Sequence, residues 1–263
     1  MKGNIMNKNE KIYIAGHTGL VGSALVRALK SHGYTNIITK TRKELDLTNQ
    51  QEVELFFRSE LPAYVFLAAA KVGGINYNKL YPADFITENI LIQTNVIKSA
   101  YDNNVKKLLF LGSACIYPKI TKQPIKEEYL LTGPLEETNN GYAIAKIAGL
   151  TMCQKYTQQY GFKCINLMPT NLYGIEDRFN TEHGHVIPGL INKFITAKEN
   201  GDDFVTCWGD GSPTREFLFS DDLADACIFL MNNYDSSDII NVGIDNEITM
   251  KELAEKIKTL TEF

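Results

Sequence analysis

Short apolar runs alternate with amphipathic stretches along this chain. A short apolar run bounded by turn residues is typical of a buried strand, whereas apolar residues at every third or fourth position are typical of a helix. The predicted strands are 11–15, 36–40, 64–68, 107–111, 163–168, 203–207 and 239–242. The predicted helices are 23–32, 50–60, 82–103, 141–161, 186–199, 221–232 and 249–260. This alternation predicts an α/β fold built on a doubly wound parallel (Rossmann) sheet.

The alternation is regular up to residue 168 and looser beyond it. We therefore predict a Rossmann domain at 9–168 and a smaller lobe at 169–263, part of which returns to the first domain. Ligands bind beyond the carboxyl ends of the strands in such sheets, so the segments that follow the predicted strands carry the candidate chemistry.

Composition narrows the class of protein. The chain has 263 residues with a formal net charge of −4, which argues against broad binding to nucleic acid or to an anionic membrane. No apolar run reaches the roughly 20 residues that span a bilayer, and the first residues contain no apolar signal-peptide core. The five cysteines are scattered without a CxxC pair, so we expect no disulfide framework, no metal site and a cytoplasmic location.

A glycine-rich turn lies between the first predicted strand and the first predicted helix. Its glycines are spaced GxxGxxG, which allows a tight turn and close backbone approach, and a helix N-terminus favours a pyrophosphate. A plain strand-to-helix turn is the alternative interpretation. In this context we predict a dinucleotide site formed by Gly16, His17, Thr18, Gly19, Leu20, Val21 and Gly22.

The end of the second predicted strand indicates which dinucleotide binds. NAD-binding units usually place an acidic residue there to bind the ribose hydroxyls. This chain instead has Lys40-Thr-Arg42, with no carboxylate before Glu44. A cation suits a 2′-phosphate, so Arg42 favours NADP(H), although a solvated basic strand end would look the same. Asp46 is either a contact to the adenine edge or a structural residue that flanks the next helix.

Tyr142 and Lys146 are four residues apart in a predicted helix and therefore share one face. A nearby ammonium favours phenolate, so we expect the pKa of Tyr142 to be lowered toward the range of a proton-transfer group. Alone, the pair would be a surface tyrosine beside a solvated lysine. Ser113, which follows the fourth predicted strand, supplies a hydroxyl for a substrate carbonyl unless it is a cap, and Cys115 comes two residues later.

Together these residues resemble the extended short-chain dehydrogenases/reductases of the nucleotide-sugar epimerase/dehydratase type. The shared pattern is GxxGxxG, a serine after the fourth strand, and YxxxK. The similarity extends over essentially the whole chain, and it is closest to the epimerase/reductases of GDP-linked 4-keto-6-deoxy sugars. The segments that carry it are 16–24, 68–74, 81–85, 107–113, 115–119, 169–174, 185–188 and 215–218.

The resemblance implies a two-stage reaction: epimerisation at C3 and C5 of the keto sugar, then reduction at C4 with NADPH. It assigns the acid and base of the first stage to Cys115 and His185. In the second stage Tyr142, with Lys146 and Ser113, polarises and protonates the keto oxygen. Lys146 also binds the nicotinamide ribose.

The remaining implied contacts are to the cofactor and the sugar nucleotide. Further cofactor contacts are Leu111, Gly112, Pro169, Thr170, Asn171, Leu172 and His185. Substrate contacts are Lys193, Trp208 and Arg215. The resemblance also implies a homodimer formed through the helices 82–103 and 141–161.

Three departures from the family pattern bear on the cofactor and the substrate. Thr18 and Lys193 stand where members often have arginine, and the chain ends one helix after the strand 239–242, which predicts a C-terminally shortened substrate lobe. The sequence therefore leaves two alternatives open. One is an enzyme for another GDP-4-keto-6-deoxy sugar, including a heptose, and the other is an inactive cofactor-binding homologue.

Overall fold

The computed structural model describes residues 5–177, 179 and 184–263. The strands are β1 (Ile12–Ala15), β2 (Ile37–Thr39), β3 (Tyr64–Leu67), β4 (Lys107–Leu111), β5 (Cys164–Pro169), β6 (Asn171–Tyr173), β7 (Thr214–Phe219), β8 (Ile239–Val242) and β9 (Glu247–Thr249). The helices are α1 (Leu20–Ser31), α2 (Gln50–Glu60), α3 (Ile75–Leu80), α4 (Pro82–Asp102), α5 (Asn140–Tyr160), α6 (Val186–Asn200), α7 (Ser220–Asn233) and α8 (Met250–Thr261).

The main sheet has six parallel strands in the order β2-β1-β3-β4-β5-β8. Strand order reverses between β1 and β3, which is where doubly wound sheets open a ligand crevice at the carboxyl ends of their strands. The predicted fold class is confirmed. The loops after β1, β3 and β4 meet at this edge.

Two buried apolar layers cover the faces of the main sheet. On one face, Phe57 of α2, Val96 of α4 and Leu150 of α5 pack against the sheet. On the other face, Leu25 of α1 and Ile228 of α7 do so. This arrangement explains why the central strands are almost wholly apolar, since both of their faces are covered.

A smaller sheet follows the main one in the chain. Its order is β6-β7-β9, with β6 parallel and β9 antiparallel to β7. A separate apolar cluster lies between α6 and α8, around Phe194, Leu253 and Ile257. A capping box between Thr249 and Glu252 begins α8.

Several local predictions differ from the structure. The strand expected at 203–207 is wrong, because these residues form no ladder and Phe204 is 76% exposed. Strands β6, β7 and β9 and helix α3 were not predicted. Strands β6 and β9 and helix α3 are short and carry little periodicity. Helix α1 begins at Leu20 rather than residue 23 because extended Gly19 directly precedes its first turn. No helix formed by the described residues is long and apolar enough to cross a membrane.

Candidate active site

The predicted glycine turn joins β1 to α1 and holds its backbone tightly. Gly16 has φ +88°, and a Cβ there would lie 2.7 Å from the Cα atom of Ala69 in the loop after β3. A Cβ on Gly22 would collide with the carbonyl oxygen of Gly16. The turn leads directly into the N-terminus of α1, and Nδ1 of His17 is a buried atom without a hydrogen-bond partner. These features fit a dinucleotide whose phosphates meet the helix N-terminus.

The loop after β3 is clamped by a buried amide. Asn89 of α4 accepts a hydrogen bond from the Lys71 backbone N–H at 2.9 Å and donates one to the Lys71 carbonyl oxygen at 3.0 Å. Nζ of Lys71 lies 2.5 Å from Oε1 of Glu88 and 3.4 Å from Oδ2 of Asp84. Backbone and side chain of Lys71 are therefore both held by α4.

Arg42 lies in the loop after β2 with its side chain 73% exposed, and its Nη2 atom is 3.3 Å from Oε2 of Glu88. Asp46 accepts hydrogen bonds from the backbone N–H and the hydroxyl of Thr48, at 2.9 and 2.8 Å, which lower the pKa of its carboxyl. The helix-flanking role considered for Asp46 is thus present in the structure. Its contact to adenine stays a prediction.

The carboxyl end of β4 anchors the proton-transfer group. Nζ of Lys146 donates a hydrogen bond to the carbonyl oxygen of Leu111 at 2.7 Å, and the lysine is only 5% exposed. Burial lowers the pKa of Lys146 to about 8. Gly112 donates its N–H to the Leu167 carbonyl at 2.8 Å, and a Cβ on Gly112 would collide with Met168. The turn that carries Ser113 is therefore fixed against β5.

Tyr142 lies in the first turn of α5, beside the turn that carries Ser113. Nζ of Lys146 is 5.8 Å from the centroid of its ring, and the ring of Phe85 packs edge-on at 6.4 Å. Burial and the nearby Cys115 raise the pKa of Tyr142, while a hydrogen bond with Ser113 acts in the opposite direction. The expected lowering is wrong, because loss of solvent outweighs the local stabilisation of phenolate. Tyr142 is consequently a protonated acid at neutral pH.

Cys115 lies in the single helical turn that follows Ser113. The Ser113 hydroxyl oxygen accepts a hydrogen bond from the backbone N–H of Cys115 at 3.3 Å. Since Cys115 contributes to the raised pKa of Tyr142, the thiol lies within electrostatic range of the phenol. Ser113, Cys115, Tyr142 and Lys146 thus come together at the end of β4.

His185 is positioned by the start of α6. Its Nδ1 atom is 3.2 Å from Oδ1 of Asp177, whose side chain is only 4% exposed, while the imidazole is half-exposed. A buried carboxylate that holds one ring nitrogen directs the other nitrogen outward. Asp177 thus orients a candidate acid.

The predicted substrate residues lie on α6, on β7 and on the segment that joins them. Nζ of Lys193 is 5.4 Å from the centroid of the exposed Trp208 ring and donates to the Thr206 carbonyl at 3.2 Å. Arg215 is exposed on β7 and donates to the Thr214 carbonyl at 2.7 Å. The structure brings Lys193 and Trp208 into contact.

The predicted cofactor segment from Pro169 to Leu172 spans the end of β5 and the start of β6. Thr170 donates its N–H to the carbonyl of Val242 at 3.1 Å. Asn171 donates its amide to the Glu216 carbonyl at 3.0 Å. Because it follows the last residues of β5, the segment lies at the carboxyl edge of the main sheet.

Sequence patterns did not single out Glu88, Asn89 or Asp177 for the site. Asn89 could have been noticed, because it interrupts the apolar face of helix 82–103 four residues after Phe85. Glu88 and Asp177 have no local signal, since their partners are distant in the chain or belong to another element.

Comparison with known proteins agrees with this geometry. Residues 12–243 match the model of the NAD dependent epimerase/dehydratase family. The chain belongs to this family. A putative GDP-L-fucose synthase 2 of Arabidopsis thaliana is 59% identical over 98% of the chain and 79% of its own length.

Two solved structures of the family's kind superpose closely. A GDP-6-OMe-4-keto-L-xylo-heptose reductase from C. jejuni is 40% identical with a TM-score of 0.92, covering 99% of this chain and 86% of that one. A GDP-L-fucose synthetase from Naegleria fowleri bound to NADP is 32% identical with a TM-score of 0.92, covering 100% of this chain and 80% of that one.

Proposed function

We propose that this chain is an NADPH-dependent enzyme that epimerises C3 and C5 of GDP-4-keto-6-deoxy-mannose and reduces C4 to give GDP-L-fucose. The observation that carries the proposal is the convergence of Ser113, Cys115, Tyr142 and Lys146 at the end of β4, beside the glycine turn. Relatives named GDP-L-fucose synthase, from plants and bacteria, support the substrate.

The cofactor is NADP(H), which supplies the reducing equivalent for C4. The glycine turn and the N-terminus of α1 would hold its pyrophosphate, and Arg42 would bind its 2′-phosphate. Lys146 binds the nicotinamide ribose. The segment from Pro169 to Leu172 and the backbone of Leu111 and Gly112 line the same edge of the sheet.

Epimerisation requires proton exchange at the two carbons beside the ketone. A 4-ketone acidifies both of these carbons, so a base and an acid on the two sides of the ring suffice. Cys115 at the end of β4 and His185 at the start of α6 are contributed by different parts of the fold. Asp177 holds His185 in orientation for this exchange.

Reduction requires a proton for the C4 oxygen. Tyr142 is protonated at neutral pH, so it donates its phenolic proton to that oxygen while Ser113 hydrogen-bonds it. Lys146 supplies a positive charge close to the phenol when it is protonated. Stabilisation of a developing oxyanion is commonly the largest catalytic contribution.

The GDP moiety binds to the lobe at 169–263. Lys193 and Arg215 meet the diphosphate, and the exposed Trp208 offers a packing surface. We also propose a homodimer formed through α4 and α5, whose exposed apolar residues Leu91 and Ile144 suit burial against a second copy. The cytoplasmic location stays a prediction.

A second candidate substrate is a GDP-4-keto heptose. This substrate is supported by the C. jejuni heptose reductase, which has the same TM-score as the Naegleria structure and a higher sequence identity. Both candidates share the ketone chemistry and differ in the hydroxyls that the small lobe contacts.

The deciding experiment incubates purified protein with NADPH and either GDP-4-keto-6-deoxy-mannose or a GDP-4-keto heptose. We expect NADPH oxidation with the first sugar and GDP-L-fucose as the product, identified by NMR. Faster turnover of the heptose would support the second candidate. If the protein binds NADPH but oxidises it with no 4-keto GDP-sugar, the chain is an inactive cofactor-binding homologue and the enzymatic function is excluded.

A further inference from the structure

Glu88 bridges two cations that belong to different loops. One carboxylate oxygen lies 2.5 Å from Nζ of Lys71, and the other lies 3.3 Å from Nη2 of Arg42. Lys71 follows β3 and Arg42 follows β2, whereas Glu88 belongs to α4. A single acid from the helix layer therefore reaches the basic segment that the sequence associates with the 2′-phosphate.

The carboxylate of Glu88 is held in place more firmly than its arginine partner. Lys71 is only 17% exposed, and Asn89 binds both its backbone N–H and its carbonyl. The Lys71 ammonium also binds Asp84, so it stays on α4 whether or not Arg42 is present. The Arg42 side chain is 73% exposed and is free to rotate toward a ligand.

A carboxylate at this position opposes a 2′-phosphate. The phosphate and Glu88 compete for the same guanidinium, and the two anions repel each other. A ribose 2′-hydroxyl, in contrast, donates a hydrogen bond to a carboxylate, which is how NAD-binding units use the acid that follows their second strand. Here the segment from Lys40 to Lys43 lacks that acid, and Glu88 brings one from α4.

We propose that Glu88 is a specificity-determining residue that reduces the preference of the site for NADPH over NADH. The proposal rests on the NADP(H) function given above. By moderating the charge of Arg42, Glu88 lets the site accept both dinucleotides. Its removal shifts the selectivity toward NADPH.

The test measures the dissociation constants of NADPH and NADH for the unmodified protein and for Glu88→Gln, by titration calorimetry without sugar substrate. We expect Glu88→Gln to bind NADPH roughly two- to fivefold more tightly, which corresponds to the free energy of an exposed ion pair. NADH binding should be unchanged or weaker. The gain should diminish at high salt, because screening weakens the competition.

Asp84→Asn is the matched control. It removes the same charge from the same helix and the same lysine, but Asp84 contacts Lys71 and has no ion pair with Arg42. We expect the NADPH/NADH ratio to stay unchanged in this variant. In an Arg42→Ala background, Glu88→Gln should change the NADPH/NADH ratio less than it does in the unmodified protein. The reason is that part of the effect of Glu88 acts through the Arg42 guanidinium.

The outcomes separate this inference from the proposed function. If the unmodified protein binds NADPH and Glu88→Gln leaves the ratio unchanged, or weakens NADPH, the inference is wrong and the function stands. A weakened NADPH would mean that Glu88 positions Arg42 for the phosphate. If the unmodified protein binds neither dinucleotide, both the proposed function and the inference fail.

Discussion

Nζ of Lys146 is hydrogen-bonded to the carbonyl oxygen of Leu111 at 2.7 Å, which ties α5 to the last residue of β4. The bond places a buried ammonium beneath the turn that carries Ser113 and beside the ring of Tyr142. The lysine thereby fixes the spacing between the strand end and the phenol.

Tyr142→Phe should separate the two stages of the reaction. The change removes the proposed proton donor for the C4 oxygen, so NADPH oxidation should fall by about 100-fold or more. Solvent deuterium should still exchange into C3 and C5, since Cys115 and His185 remain. NMR of the recovered sugar nucleotide measures the exchange. Loss of exchange together with reduction would contradict the assigned division of roles.

Lys146 should set the alkaline limit of the reduction. Its pKa is lowered to about 8, so the ammonium is present below that pH and is lost as the pH rises through it. The raised pKa of Tyr142 keeps the phenol protonated over the same range. We therefore expect kcat/KM to fall above about pH 8. In Lys146→Arg, whose guanidinium stays charged, this decrease of kcat/KM at high pH should disappear. An unchanged decrease would mean that another group causes it.

Asp177→Asn should slow epimerisation by misorienting His185. Misplacing a proton-transfer group costs about 10- to 100-fold in rate. We expect deuterium exchange at C3 or C5 to fall by that amount while NADPH affinity changes little. Glu176→Gln, which neutralises the exposed neighbouring acid, is the charge-matched control and should leave exchange unchanged. Equal losses in both variants would indicate a general effect of charge rather than an orienting contact.

Two helical glycines should respond to alanine with opposite signs. A Cβ on Gly149 of α5 would lie 2.6 Å from Cζ of Phe110, so Gly149→Ala should lower the free energy of unfolding by about 1–3 kcal/mol. Gly189 of α6 has open space around it, so Gly189→Ala should raise the free energy of unfolding by up to about 1 kcal/mol. Urea denaturation measures both. A stabilised Gly149→Ala would mean that α5 packs less tightly against β4 than the structure shows.

The sequence predicts those parts of the site that are formed by residues close to one another in the chain. The turn after β1 and the segment after β4 are recognisable because a buried parallel strand is short, apolar and followed at once by its functional loop. The spacing of Tyr142 and Lys146 likewise needs only the helical repeat. Their pKa directions required the structure, since burial depends on how Phe85 and Phe110 enclose the pair.

Contacts between distant segments could not be predicted in this way. The contact between Asp177 and His185 joins residues eight positions apart, and the bridge from Glu88 to Arg42 joins a helix to a loop 46 residues earlier. The strand expected at 203–207 is wrong for a related reason. Its residues have strand-forming character, but no neighbouring strand pairs with them in the described structure.

Glu216 of β7 determines how the small sheet is attached. Its carbonyl oxygen accepts hydrogen bonds from the side chains of Thr170 and Asn171, which follow β5. Its carboxylate accepts hydrogen bonds from the backbone N–H groups of Ile244 and Asp245, which follow β8. One residue thus fastens both the outgoing and the returning strand connections. Glu216 therefore couples the two connections, so that the main sheet and the small sheet are joined twice through a single residue.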